Sequence, residues 1–226
     1  MDILNFISWI ASKRRIVTSV PGDALFPVGI RTETRDDKYT TAGISYNDLA
    51  IQIGGSGNGG HYIGELVGGG IVVALWKEGT AEKALIASLT NLSTGIEWTL
   101  PTYQSTLIGS TAQSFSDGLT NTDAIIAQTT APAANTYAAG LARLHADGGY
   151  NDWYLPSLWE LNMCYNSAAI VNKVLGTDSF IGNVSYWSST EIGTNDACFF
   201  FFSLGNANAS NKSTTFYVRA VRTHTF

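Results

Sequence analysis

Two short stretches carry side chains able to hold a ligand by hydrogen bonds. One is Glu191-Ile192-Gly193-Thr194-Asn195-Asp196; the other runs from Gly205 to Ser213 and reads Gly-Asn-Ala-Asn-Ala-Ser-Asn-Lys-Ser. An Asn amide both donates and accepts, an Asp carboxylate accepts, and a Lys ammonium donates, so Asn195, Asp196, Asn206, Asn208, Asn211 and Lys212 are the candidate ligand contacts. Such groups suit sugar hydroxyls. The same residue types are common in turns, where they bond their own backbone, so a purely structural use of both stretches stands beside the binding one. Both flank the run that starts at Ala197; they sit at opposite ends of it or converge through a sheet.

Groups for covalent or acid–base chemistry are sparse. His61, His145 and His224 stand in a glycine-rich stretch, at a helix end and at the C-terminus, none beside a Ser or Cys in a nucleophile motif. Cys164 lies in a helical stretch and Cys198 opens onto four consecutive Phe. Both read as buried, inert thiols, although one bridge between them stays open. The expectation is a protein that is not an enzyme and holds no cofactor and no metal.

The elements that position these groups follow from composition and pattern. Of 226 residues 45% are apolar and 14% charged, with 23 Gly but five Pro, which describes a folded, turn-rich chain able to bury a large core. Thirteen basic and eighteen acidic residues give a net charge of −5; up to Ile53 the two balance at six each, so the remainder carries the whole excess. A nucleic-acid partner, which needs clustered Lys and Arg, is not expected, and neither is a polyanion.

The segment Gly54 to Gly60, Gly-Gly-Ser-Gly-Asn-Gly-Gly, reads as a flexible tether between a small segment, residues 1–53, and a larger domain, residues 61–226. In the first part Ile3, Phe6, Ile7 and Ile10 fall at helical spacing, Ile16 to Val20 is β-like, Ala24 to Ile30 is mostly apolar, Arg31 to Lys38 is charged, and Tyr46 to Ile53 fits a final helix. So small a unit buries too little surface to stand alone, and its apolar stripe is expected to dock on copies of itself or on a larger assembly. The apolar run Ile3 to Ala11 has an acid before it and bases after it, the reverse of a secretory signal, and is too short to span a bilayer. No export and no membrane insertion are expected.

In the second part Ile71 to Trp76 and Ala84 to Leu89 read as a β-hairpin, followed by an irregular region from Ile96 to Gly118. A short helix is expected from Thr122-Asp123 to Gln128 and a second from about Asn135 to Ala146, with Tyr137, Leu141 and Leu144 on one face and Gly148-Gly149 ending it. A third starts at Ser157, where Ser-Leu-Trp-Glu forms a capping box between Ser157 and Glu160. Ala197 to Leu204 and Phe216 to Arg222 read as paired strands joined by a polar loop, Gly205 to Ser213. Phe199 to Phe202 place two rings on each face of their strand. Helices in the middle with strands at both ends predict an α+β fold.

Gly149 to Leu161, Gly-Tyr-Asn-Asp-Trp-Tyr-Leu-Pro-Ser-Leu-Trp-Glu-Leu, resembles the signature of the DUF1566 family, also named for the C-terminal domain of a Legionella collagen-like adhesin. Tyr186 to Glu191 and Tyr217 to Arg222 follow in the family's order, and Gly69 to Val72 and Asn121 to Ile126 precede it. The resemblance implies a C-type-lectin-like fold: two helices against a small twisted sheet, and a long loop region that presents ligand contacts. It implies structural roles for Trp153, Leu155, Pro156, Ser157, Glu160, Trp187, Ser188, Arg219 and Arg222. Trp153 and Leu155 are expected under the helix's first turn, Pro156 stiffening the approach, Trp187 at the core centre, and Ser188 and Ser189 on loop backbone. Arg219 and Arg222, three apart on a strand, are expected on opposite faces, at most one of them buried and paired with Asp152 or Glu160. The Glu-Pro-Asn, Gln-Pro-Asp and Trp-Asn-Asp motifs of calcium-dependent lectins do not occur, and no acid-rich loop offers the six or so converging oxygens calcium takes.

The leader Leu4 to Ile10, with Pro27 to Arg31 and Arg35 to Tyr39, is similar to those of tail-appendage and other structural proteins of marine phages. Together these readings predict a virion protein made in the host cytoplasm, a tail fibre or receptor-binding appendage. Residues 1–53 would hold other virion proteins, the head a host-surface glycan or protein, and the assembly would be a homotrimer. An architectural virion protein without glycan binding is the alternative, and a bacterial binding protein a third.

Overall fold

The structure is a computed structural model that describes residues 25–31, 39–45, 60–130, 133–177, 179–180 and 182–226. The chain divides into two compact units, Met1–Gly60 and His61–Phe226. In the first, β1 (Leu25–Arg31) and β2 (Tyr39–Ser45) pair antiparallel, Leu25 against Ser45 and Arg31 against Tyr39. Leu25–Arg31, within and just past the run read as apolar, is thus a strand, and the sequence reading missed its partner. The expected helices at Ile3 to Ile10 and Tyr46 to Ile53, the β-like run Ile16 to Val20 and the glycine tether before Gly60 lie outside the described residues.

The second unit holds two sheets. One orders its strands β11–β5–β4–β3, built from β3 (Leu66–Val67), β4 (Gly70–Glu78), β5 (Ala81–Ala87) and β11 (Val221–Thr225). Alternation explains why β4 and β5 read as nearly unbroken apolar runs. Val72, Ala84 and Ile86 face one core cluster, while Ile71, Val73, Leu85 and Ala87 face a second, so both sides of this sheet are covered. Its hairpin turns at Gly79-Thr80.

The other sheet orders β6–β10–β7–β8–β9, from β6 (Ser93–Ile96), β7 (Ser185–Glu191), β8 (Asp196–Phe201), β9 (Asn206–Asn211) and β10 (Phe216–Val218). Here the sequence reading needs correcting twice. The stretch expected as a polar loop, Gly205 to Ser213, is mostly strand β9, paired antiparallel with β8 from Asp196↔Asn211 to Phe201↔Asn206. Residues Phe216 to Arg222 do not pair with the strand at Ala197: β10 lies between β6 and β7, and β11 crosses to β5 in the first sheet. Asn is a weak strand former, and what fixes β9 is its ladder to β8.

Three helices complete the unit. α1 (Gly118–Gln128) begins four residues before the expected Thr122, because Asp117 caps it by accepting the Thr120 N–H. α2 (Ala138–Arg143) is shorter than the span Asn135 to Ala146; Tyr137 is buried just before it, Leu144 is exposed beyond it, and Gly148-Gly149 belong to a separate 3-10 turn. α3 (Leu158–Leu175) starts at the expected capping box, with Ser157 and Glu160 satisfying each other's backbone, and ends at Gly176 in the left-handed conformation. It buries Leu158, Leu161, Cys164, Ser167 and Val171, one face at helical spacing.

Trp153 and Leu155 join the core cluster shared with α1 and α2, while Tyr154 and Leu158 enter the cluster under α3. Trp153 and Leu155 therefore do not sit under the first turn of α3; strand-like alternation through 153–155 sends neighbours to opposite clusters. Trp187 is fully enclosed, as expected, and donates its indole N–H to the Ile96 carbonyl at 2.9 Å, while Trp98 donates to the Ser188 carbonyl at 2.8 Å. The pair locks the long loop to β7 from both sides.

Candidate functional site

The architecture divides the six candidate contacts. Because Asp196 pairs with Asn211 and Phe201 with Asn206, Asn195, Asp196, Asn211 and Lys212 gather at one end of the β8–β9 hairpin. Asn206 stands at the other end, roughly 17 Å away at the usual strand rise, with Asn208 between them. Asn195, Asn206, Asn208 and Asn211 are exposed and Asp196 is half-buried. Two of the amides are partly engaged. Asn211 Oδ1 accepts from the Ser213 N–H and hydroxyl at 3.0 and 2.7 Å, and Asn208 Oδ1 accepts from Ala209 N–H at 2.8 Å.

Lys212 corrects the expectation of a ligand contact. Its side chain is fully buried, and its ammonium donates to Glu191 Oε1 at 2.7 Å, Thr194 O at 2.8 Å and Thr106 O at 3.0 Å. Those three bonds use all three protons, and the charge lies 5.1 Å from the Trp98 ring centre. Glu191, equally enclosed, also accepts the backbone N–H groups of Ile108 and Gly109. The pair ties β7, the end of β9, the 192–195 turn and the loop at 106–109 into one rigid corner. Sequence reading quoted Glu191 in a family block and at the head of a candidate ligand stretch; the structure turns it inward onto Lys212, a partner 21 residues away that no local pattern marked.

Beside this corner an open groove of about 670 Å³ is lined by Thr106, Leu107, Ile108, Thr120, Asp123 and Gln128 among others. The region read as irregular thus forms a wall of the candidate site, with α1 opposite. Asp123 pairs with Arg143, and Gln128 Nε2 donates to Thr106 O at 3.3 Å.

The signature residues make contacts within the fold. Glu160 accepts from Ser157 N–H at 2.7 Å, Gly118 N–H at 3.1 Å and the Tyr154 hydroxyl at 2.7 Å, joining the starts of α1 and α3; burial pushes its carboxyl above the usual range. Pro156 is enclosed and accepts from Ser189 N–H at 2.8 Å; Ser188 donates to the Cys198 carbonyl of β8 at 2.8 Å, a strand contact in place of the expected loop contact.

The expectation that at most one of Arg219 and Arg222 is buried fails, because both are. The chain leaves β10 at Val218 and enters β11 at Val221, so strand alternation does not span the two. Arg222 holds Asp152 through Nε at 2.6 Å and Nη2 at 2.9 Å and stacks 3.8 Å from the Tyr150 ring centre. That bidentate bond keeps the Asp152 carboxyl below its ordinary range. Arg219 instead donates to Ser88 O at 2.7 Å and to Ser179, and stacks 4.1 Å from the Phe180 ring centre.

Among the described residues the two cysteines lie apart from the three histidines' contacts. Cys164 and Cys198 are both free and buried, and burial pushes their thiols up to about 12 and about 11. His61 stacks on Phe226, His145 sits edge-on to Trp153, and His224 lies near Arg222. Among the described residues no group of His, Cys, Asp and Glu could hold a metal ion, and no helix is long and apolar enough to cross a membrane. Of the Phe run, Phe200 and Phe202 enter the cluster under α3, and Phe199 packs 4.6 Å from Phe216.

These features define a two-sheet α+β domain whose buried charges serve to fix loops. Residues 87–222 match the Lcl C-terminal domain, that of the Legionella collagen-like protein, and the chain belongs to this family. No curated protein matches it. Among solved structures, a fimbrial protein from Bacteroides ovatus ATCC 8483 is similar at 18% identity and a TM-score of 0.43, over 61% of this chain and 35% of that one. The chain thus spans about a third of that fimbrial protein's length.

Proposed function

We propose that the chain is an adhesin-like appendage of a phage particle whose C-type-lectin-like head recognises a host-surface glycan or protein. The observation that carries this reading is the corner built by Glu191 and Lys212, which fixes the end of the β8–β9 hairpin where exposed Asn195 and Asn211 stand, with Asn208 and Asn206 further along the same strand pair. Exposed Asn195, Asn206 and Asn208 present both donors and acceptors at fixed spacing, the chemistry that hydroxyl-rich ligands match. Weak single sites gain by repetition on one particle, which suits a homotrimer held by residues 1–53 to other virion proteins.

Family membership supports a non-enzymatic surface role. The lectin-like reading is supported by the late strand β11 returning to pair with β5, and by a long loop between β6 and α1 that contributes one wall of the groove. Mass spectrometry of purified particles should find the chain among the virion proteins, and the purified protein should attach to host cells. Its presence in particles without cell attachment would favour an architectural role; its absence from particles would overturn the virion reading.

A further inference from the structure

The loop at 106–109 is held by its main chain and offers side chains to solvent. Lys212 Nζ donates to the Thr106 carbonyl, and the Glu191 carboxylate accepts the Ile108 and Gly109 N–H groups, so both buried charges bond this one stretch. A wholly buried ion pair adds little net stability, because taking two charges out of water costs about what their attraction returns. What it fixes here is a position. Leu107 stands between the two anchors, 50% exposed, and cannot withdraw toward the core without breaking them. Across the groove α1 is held as firmly. Thr122 donates to the Gly118 carbonyl at 2.7 Å and the Leu155 carbonyl at 3.2 Å, and Asn121 donates to the Ser114 carbonyl at 2.6 Å, which leaves Thr120, Asp123 and Ala127 on the exposed side. Gln128 bridges the two walls. The groove is thus formed before any ligand arrives, and its volume of about 670 Å³ lies within the roughly 300–1,000 Å³ of small-ligand sites.

The lining selects a ligand class. Asp123 is the single charge among the described lining residues, and Arg143 already pairs with it. With no free cation, the groove gives sulfate, phosphate or carboxylate groups no partner and faces them with a carboxylate. It also holds no aromatic ring and no Arg, the residues that anchor protein partners. What remains is the hydroxyls of Thr106, Thr111 and Thr120, which donate and accept as sugar hydroxyls do, beside the apolar surface of Leu107, Ala124 and Ala127 for the C–H groups of a sugar ring.

The groove has a continuation. Lys212 Nζ bonds the carbonyls of both Thr106 and Thr194, so the groove abuts the 192–195 turn, where Asn195 is exposed. We propose, resting on recognition by the head, that the groove seats part of a neutral oligosaccharide whose chain continues onto Asn195. The ligand is then a neutral glycan, neither an acidic or sulfated one nor a protein.

The test is attachment of the purified full-length chain to host cells, compared among the parent, Ala127→Trp, Thr111→Trp and the control Ala169→Trp. All three positions are exposed, the first two in the groove and the third on α3 outside it, so each variant should keep the parent's melting temperature. A ring filling the groove should weaken attachment about tenfold or more, while the control should leave it unchanged. Periodate oxidation of the cells, which cleaves sugar diols, should abolish parent attachment; protease treatment of the cells and added dextran sulfate should not. Attachment undiminished in both groove variants, or equal loss in the control, overturns the groove and leaves recognition by the head standing. Attachment lost to protease and kept after periodate points to a protein receptor and overturns the glycan, and competition by dextran sulfate overturns its neutrality. A parent that attaches to no cells contradicts recognition itself, and the groove's role with it.

Discussion

Lys212 Nζ lies 2.7 Å from Glu191 Oε1, with both side chains wholly enclosed at the corner that carries the 192–195 turn. Removing one partner strands the other charge without water, so Lys212→Met should cost about 3–5 kcal/mol. Pairing it with Glu191→Leu should restore much of that loss. Urea unfolding of the single and double variants checks both; an additive double variant would show that the two side chains do not depend on each other.

Thiol reactivity offers a second check. Burial holds Cys164 near 12 and Cys198 near 11, so thiolate is scarce at neutral pH and access is blocked. Neither should react with iodoacetamide at pH 8 until denaturant is added, after which both should react. Fast labelling of Cys164 in the folded protein would point to a reactive centre and away from a binding scaffold.

Acid stability should depend on two carboxyls of opposite sign. The Arg222 bond lowers the Asp152 pKa in the folded state, so its contribution is present above the unfolded value of 3.8 and is lost as pH falls through the folded one. Burial raises that of Glu160, so its contribution is full below the unfolded value of 4.5 and is lost as pH rises through the folded one. Asp152→Asn should therefore flatten the loss below about pH 4, and Glu160→Gln the loss above about pH 4.5. Thermal unfolding scanned across pH reads both, and unchanged profiles would contradict the two assignments.

Gly69 and Gly148 touch backbone to backbone, and both have positive φ, 81° and 68°. A Cβ on either would collide with the other segment, so Gly148→Ala should destabilise by roughly 1–3 kcal/mol. Calorimetry that finds no change would mean the 147–149 turn can move away from the β3–β4 turn.

What the sequence disclosed depended on how local the signal was. The capping box at Ser157 and Glu160 and the β4–β5 hairpin were readable because each lies within a few residues. Strand β9 was not: Asn206 to Asn211 has turn composition, and only its ladder to β8 makes it extended. Burial of both Arg219 and Arg222 was hidden for a related reason. Their partners, Ser88 and Ser179 for one and Asp152 for the other, lie 40 or more residues away. At the candidate site the sequence pointed to the exposed amides but not to the Glu191 anchor, and it mistook Lys212, whose charge faces inward, for a surface contact.

The most direct measurement is attachment of the purified full-length protein to host cells, compared with a variant carrying Asn195→Ala, Asn206→Ala and Asn208→Ala. These side chains are exposed, so the variant should keep the parent's melting temperature. Losing several hydrogen bonds of about 0.5–1.5 kcal/mol each should weaken binding about tenfold or more and abolish its block of phage adsorption. Undiminished attachment by the variant, or none by the parent, would contradict recognition through this surface.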